Sequence, residues 1–183
     1  MADYEVSGAY VDAVLRPLRS SPQFEAIKDK LEPPVRAMVI NPWSATWHPA
    51  LQLEALSEAA LSLLGREAFE QLAYGAVKDR FAPIILPMLK STLASSNRSP
   101  AAVLSKLESS VKVAMRGLDI LWKADDDHSG ILQVRYPRPV AAHVESSWRG
   151  VLTYIFEVTQ STGRVERSHQ TETGNTLQYL VSW

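Results

Sequence analysis

Apolar residues recur at helical spacing through the first two-thirds of the chain and then switch to strict alternation. In "PALQLEALSEAALSLLG", Leu53, Leu56, Ala60, Leu63 and Leu64 share one face, and Gly65 stands where a helix ends or kinks. "REAFEQLAYGAVKDRF" continues the period with Phe69, Leu72, Ala73 and Ala76. "PIILPMLKSTLAS" is a third run, in which Pro87 removes a hydrogen bond and should bend or restart the helix. Ser99-Pro100 opens what reads as the longest helix. On it Leu104, Leu107, Val111, Met115, Leu118 and Trp122 fall at three- and four-residue spacings.

Upstream, "YEVSGAYVDAVL" reads as a short strand running through Gly8 into a helix. "SPQFEAIKDKL" carries an N-cap signal at Ser21 with Pro22 at the first helical position. "EPPVRAMVINPWSATWHP" is interrupted by Pro33, Pro34, Pro42 and Pro49, which predicts connection with a short extended piece at Val35–Ile40.

After Gly130 the period changes. Leu132, Val134 and Tyr136 alternate with Ile131, Gln133 and Arg135, the signature of a half-buried strand. "AHVESSWRGVLTYIFEVTQST" reads as another amphipathic helix. The tail reads as strand, turn at Gly174-Asn175 and strand, with Leu177, Tyr179, Val181 and Trp183 on one face. The expected class is α+β in one domain over residues 1–183. Its helical N-terminal two-thirds would pack on a small antiparallel sheet formed largely by the C-terminal third.

Composition narrows the function classes. Nineteen Lys and Arg against twenty Asp and Glu leave a formal charge of -1, which argues against nucleic acid as a partner. Cysteine is absent, removing disulfides, thiolate metal sites and cysteine nucleophiles, and a reducing, cytoplasmic setting fits. The start "MADYEVSGAY" does not read as a signal peptide. The best apolar stretch, "FAPIILPML", is interrupted by two prolines and falls short of the roughly 20 residues of a membrane span.

The one acidic cluster, "WKADDDHSGILQV", gives Asp125-x-Asp127-x-Ser129-Gly130, the opening half of a calcium loop. The twelfth position, where a bidentate glutamate belongs, is Tyr136, and a strand pattern occupies the second half, so the metal reading fails. The stretch is expected to be the polar seam where the long helix hands over to the sheet. His48, His128, His143 and His169 are scattered, with no pair at helical i+4 spacing, so no metal is expected. Glu54, Glu58, Glu67 and Glu70 read as a solvated face with Arg66 and Lys78. Nucleophile elbows and phosphate-cradling glycine loops are absent, and no catalytic residues are assigned. Five tryptophans, Trp43, Trp47, Trp122, Trp148 and Trp183, suit core or interface anchors, or the wall of an apolar pocket.

From "ESSWRGVLTYIFEVTQSTGRVERSHQTETGNTLQYLVSW" the C-terminal part resembles the end of the four-vinyl-reductase domain and its relatives, the TRAPP-component and haem-NO-binding folds. Through "VSG", "PWSATWHPAL", "LGREAFEQLAYG", "SPAAVLSKL" and "LQYLVSW", the whole chain resembles a paralogous family of uncharacterised proteins abundant in myxobacteria. The resemblance implies helices on an antiparallel sheet, pairing as a homodimer, and a buried pocket that relatives use for haem, acyl chains or small aromatic ligands. Cysteines that relatives carry near the last hairpin are replaced by Thr171, Thr173 and Gln178. A proximal histidine in the middle helices is missing, and "YPRP" at Tyr136–Pro139 departs from the Tyr-x-Ser-x-Arg element, which argues against haem in that mode. The cofactor is therefore unassigned.

The expected function is a non-enzymatic, cytoplasmic ligand-binding or sensory domain with an apolar pocket between the long helix and the sheet. Trp122, Tyr136 and Trp148 are its candidate aromatic walls, and His143 its polar handle. The alternative is a protein-interaction module with a packed core that binds a protein partner through its surface.

Overall fold

The computed structural model describes residues 4–43, 45–96, 98–167 and 174–183, with backbone alone at 80–86, 88–89, 142 and 167. The chain enters on β1 (Glu5–Ser7) and turns at once into α1 (Gly8–Arg19). Ser7 caps that helix, its Oγ accepting from the Tyr10 amide. A Cβ on Gly8 would lie 2.7 Å from the Pro42 carbonyl oxygen and 2.9 Å from that of Ala45, so the turn admits only glycine. The strand-into-helix reading of this segment is correct.

α2 (Phe24–Asp29) follows, and then α3 (Pro33–Ile40), where an extended piece was expected. The two prolines start this helix instead of breaking the chain, because first-turn residues have no amide partner to lose. Val35, Met38 and Val39 turn inward from it. β2 (Trp47–Pro49) pairs with β1, and α4 (Ala50–Leu64) meets α5 (Arg66–Ala76) at Gly65, whose φ of 79° breaks the helix as expected. A π-helical turn (Val77–Phe81) leads into α6 (Ala82–Ser95), which runs on through Pro87.

The largest correction concerns the long helix opened by Ser99-Pro100. Only α7 (Pro100–Leu104) and α8 (Leu107–Val111) are helical, and β3 (Met115–Arg116) and β4 (Asp119–Ala124) replace the rest. The first turns behave as the spacing requires, with Val103, Leu104 and Leu107 buried. Beyond them Gly117 takes φ 88°, which turns the chain out of any helix. Trp122 therefore stands on a strand.

β5 (Ser129–Arg135) lies where alternation predicts it, and β4 and β5 form a hairpin. The acidic stretch is the corner of that hairpin and not a helix-to-sheet seam. The amides of Asp125 and Asp126 donate to the Ser129 carbonyl, at 3.0 and 3.3 Å, and the His128 amide donates to Asp126 Oδ1 at 2.7 Å. The hydrogen bond from His128 and that from Ser129 hold the Asp126 carboxyl below its usual range.

α9 (Ala142–Thr159) is the helix predicted from "AHVESSWRGVLTYIFEVTQST". β6 (Arg164–Arg167) and β7 (Thr176–Ser182) complete an antiparallel sheet of order β4-β5-β7-β6, with β2-β1-β3 forming a second, smaller one. The mixed helix and antiparallel-sheet class is as expected. Cross-strand pairs Leu132–Tyr179, Val134–Leu177 and Gly130–Val181 build the inner face, each apolar side chain there fully removed from water. Burial of that kind contributes about 1.5–3 kcal/mol for each large apolar side chain.

α9 lies between this face and the helices. On the sheet side, Tyr179 Oη donates to the Glu145 carbonyl at 3.4 Å and Arg149 Nη1 to the Val165 carbonyl at 3.2 Å. On the other side α9 meets α5 so closely that a Cβ on Gly150 would stand 2.8 Å from the Tyr74 amide nitrogen. The turn expected at Gly174-Asn175 is present. Thr171, Thr173 and His169 lie outside the described residues.

Candidate functional site

On its helical side α9 borders a partly open cavity of about 120 Å³, walled by β1, α1, α4, α5, α8 and the segment after β5. Val6, Leu53, Leu72, Val111, Val144 and Ile155 are representative of the wall, which is overwhelmingly apolar. The expected pocket lay between a long helix and the sheet. The actual cavity is separated from the sheet by α9, because the long helix does not exist and α9 covers the sheet's inner face.

Of the four side chains singled out by sequence, Tyr136, His143 and Trp148 line this cavity. Trp122 does not. It sits on β4 beside Trp183, ring centroids 6.1 Å apart, and covers the edge of Gly130, where a Cβ would meet its ring at 2.5 Å. Alternation alone would not have separated it from Tyr136, since Trp122 pairs with Leu132 and so shares that strand's inner face; its position at the far end of the hairpin, beside Trp183, does.

The polar part of the wall is a connected set. The Trp148 indole N–H donates to the Tyr136 hydroxyl at 2.5 Å, and the Tyr136 ring meets the Tyr4 ring edge-on at 5.3 Å. Tyr4 donates in turn to Glu54 Oε1, and the other oxygen of Glu54 pairs with Arg138 Nη2 at 2.8 Å. The Arg138 guanidinium also lies 5.5 Å from the centre of the Tyr4 ring. Burial pushes the phenols of Tyr4 and Tyr136 well above their ordinary range, so both stay protonated. Tyr10, also on the wall, is pushed up to about 12 by burial.

Sequence reasoning missed Tyr4, Glu54 and Arg138. Glu54 was expected on a solvated face; its side chain is only 13% exposed and its cationic partner comes from 84 positions further along the chain. Lys78 pairs with Glu157 on α9, at 2.8 Å, and not with the α4 carboxylates. The one available signal for Arg138 was its place between two prolines, in "YPRP", where the backbone is held for a fixed side-chain direction.

His143 stands in the first turn of α9, 4% exposed. Burial lowers its pKa, so the imidazole is neutral at physiological pH. Among the described residues its ring nitrogens have no hydrogen-bond partner, and they are not sealed from water, His143 being part of the wall of the partly open cavity. His48 differs: it is buried against Pro42, its Nε2 donating to that carbonyl at 2.7 Å. Among the described residues, no group of three or more His, Asp or Glu side chains is placed to hold a metal ion. No helix among them is long and apolar enough to cross a membrane.

No protein-family profile matches the chain, and no curated protein does. Solved structures do. An Fe(II) unliganded H-NOX protein from K. algicida is similar over 96% of this chain and 95% of its own, with a TM-score of 0.67 and 12% identity. An oxygen-binding H-NOX domain related to soluble guanylate cyclases is similar over 96% and 94%, with TM-score 0.62 and 11% identity. An H-NOX from Shewanella woodyi in its Fe(II)CO state gives TM-score 0.59 at 12% identity, over 96% and 93%. At such identities the likeness is one of fold.

The haem of a further similar H-NOX structure (TM-score 0.61, 11% identity) can be tested against this cavity. An engineered cavity of ~150 Å³ holds a single benzene, and 120 Å³ is no larger. A tetrapyrrole with two propionates needs several times that space. Among the described residues, His143 is the cavity's imidazole, and no Lys or Arg side chain lines the wall to meet a propionate. Arg138, two residues after Tyr136 where the haem-binding element would carry serine, is engaged with Glu54. The residues present do not fit haem.

Proposed function

We propose that this chain is a non-enzymatic, ligand-binding sensory domain on the fold it shares with H-NOX domains, with its ligand in the cavity beside α9. The carrying observation is the His143 imidazole, buried at 4% exposure on an apolar cavity wall without a hydrogen-bond partner among the described residues. The ring nitrogens are not sealed from the partly open cavity, so water or a ligand can meet them, and a small apolar ligand with a hydrogen-bonding group would do so while filling the apolar wall. Tyr136 and Trp148 are the proposed aromatic contacts and His143 the polar one. The sensory half of the reading comes from the fold, since the oxygen-binding neighbour takes a small ligand inside the same architecture. A cytoplasmic setting, and membership of the myxobacterial family, belong to the same proposal.

Two of the three serine hydroxyls on the described wall are tied to backbone carbonyls, which supports a binding role over catalysis. Ser147 donates to the His143 carbonyl and Ser110 to that of Lys106, so each is spent on its own helix and neither addresses an imidazole nitrogen. The test is an absorbance scan with native mass spectrometry of the purified chain, before and after adding hemin. A small-molecule adduct without a Soret band supports the reading. A stoichiometric hemin complex, or a cavity that no small molecule enters, contradicts it.

A second reading has its own observation. The outer face of the sheet exposes Leu121 at 60% and Leu180 at 40%, with Ile131 half-buried beside Leu180. Such a face suits a protein partner or a homodimer. Sedimentation of wild type and Leu180→Lys over a range of concentrations tests it: a dimer lost in the variant supports the interface, and a monomer throughout removes the homodimer.

A further inference from the structure

We infer that the ligand of this cavity is an uncharged molecule of about one six-membered ring in bulk, carrying one hydroxyl or N–H group that hydrogen-bonds to His143. The inference rests on the ligand-site reading above and narrows it by size, charge and hydrogen-bonding chemistry.

Size comes first. The cavity's 120 Å³ falls below the ~300–1,000 Å³ of sites for drug-sized ligands and near the ~150 Å³ that accepts benzene. One ring with a substituent, or an aliphatic chain of similar bulk, is what such a space admits.

Charge comes next. The described wall contains no Lys or Arg side chain, and its one carboxylate is Glu54. An anion would be desolvated against apolar side chains, lack a cation to pair with, and face Glu54. A cation fares no better, because Glu54 is already held by Tyr4 and Arg138. A neutral molecule meets neither penalty.

Hydrogen bonding then selects among neutral molecules. A neutral imidazole offers one donor and one acceptor, and at His143 both lack partners among the described residues. Ser57, buried on α4 and also on the wall, has no hydrogen-bond partner among them either. The Tyr136 hydroxyl, by contrast, already accepts from Trp148. A pure hydrocarbon would fill the apolar part and leave His143 unmet; water would meet His143 and leave the apolar part unfilled. A hydroxyl or N–H on a small apolar body does both.

Calorimetric titration of the full chain with cyclohexanol, phenol, toluene and benzoate tests this, with His143→Leu and His143→Gln as variants. Cyclohexanol and phenol should bind about tenfold more tightly than toluene or benzoate, the effect of one hydrogen bond or one unpaired charge. His143→Leu should erase the advantage over toluene without weakening toluene, and His143→Gln, which keeps a donor and an acceptor, should restore part of it. Benzoate binding as tightly as phenol, or cyclohexanol indifferent to both variants, would overturn the inference while leaving the cavity a ligand site. If none of the four probes binds, the ligand-site reading itself falls.

Discussion

The Trp148 indole N–H donates to the Tyr136 hydroxyl across 2.5 Å, joining the middle of α9 to the residue that follows β5. Both side chains are buried, so neither group can exchange its partner for bulk water. Tyr136→Phe should leave the indole N–H unsatisfied and cost about 1–3 kcal/mol. In a urea-denaturation double-mutant cycle, adding Trp148→Phe should cost less than it does alone, because the N–H it removes has already lost its acceptor. Strictly additive values would mean the pair is not coupled.

Two glycines that look alike in sequence should respond oppositely to alanine. Gly75 in α5 has open space where a Cβ would go, and Gly150 in α9 has the α5 backbone at 2.8 Å. Gly75→Ala should raise stability by up to ~1 kcal/mol. Gly150→Ala should lower it, because the two helices would have to separate. Thermal melts of the two variants check both signs.

The pH dependence of His143 has a definite sign. Burial lowers its folded-state pKa from 6.5, so above that value the ring is neutral in both states and contributes no pH dependence. Below it the unfolded chain takes up the proton first, and stability falls until the folded imidazole titrates in turn. Between about pH 7 and pH 5, wild type should lose more stability than His143→Leu. Equal slopes in the two denaturation series would contradict a buried neutral ring.

The acidic hairpin corner is predicted to be structural. Asp126→Ala removes the acceptor of the His128 amide at an exposed turn, where water can take its place, and should lower the melting temperature only slightly. Millimolar calcium should leave the melting temperature of the wild type unchanged; a calcium-dependent rise would restore the metal reading of Asp125 and Asp127.

Local signals carried much of the fold and little of the site. β5, α9 and β7 were legible because their apolar residues keep one period from end to end, and Gly65 because a helix stop favours glycine. The region from Val111 to Trp122 was not, since Met115, Leu118 and Trp122 happen to fall at helical spacing although the last two precede or occupy a strand. Only Gly117, with its positive φ, marks the break. Tyr136, His143 and Trp148 could be picked out as aromatic and polar groups around the start of α9. Their neighbours could not: Tyr4, Glu54 and Arg138 meet through contacts between distant segments, and a carboxylate read locally on α4 looks like solvated surface.

The central claim is that a small ligand enters the cavity beside α9. Mapping amide chemical shifts of the ¹⁵N-labelled chain during a cyclohexanol titration tests it most directly. The account predicts saturable shifts concentrated at Ser57, Tyr136, His143, Val144 and Trp148, with the outer-face residues Leu121 and Leu180 unmoved. Shifts confined to Leu121 and Leu180, or none that saturate, would contradict it.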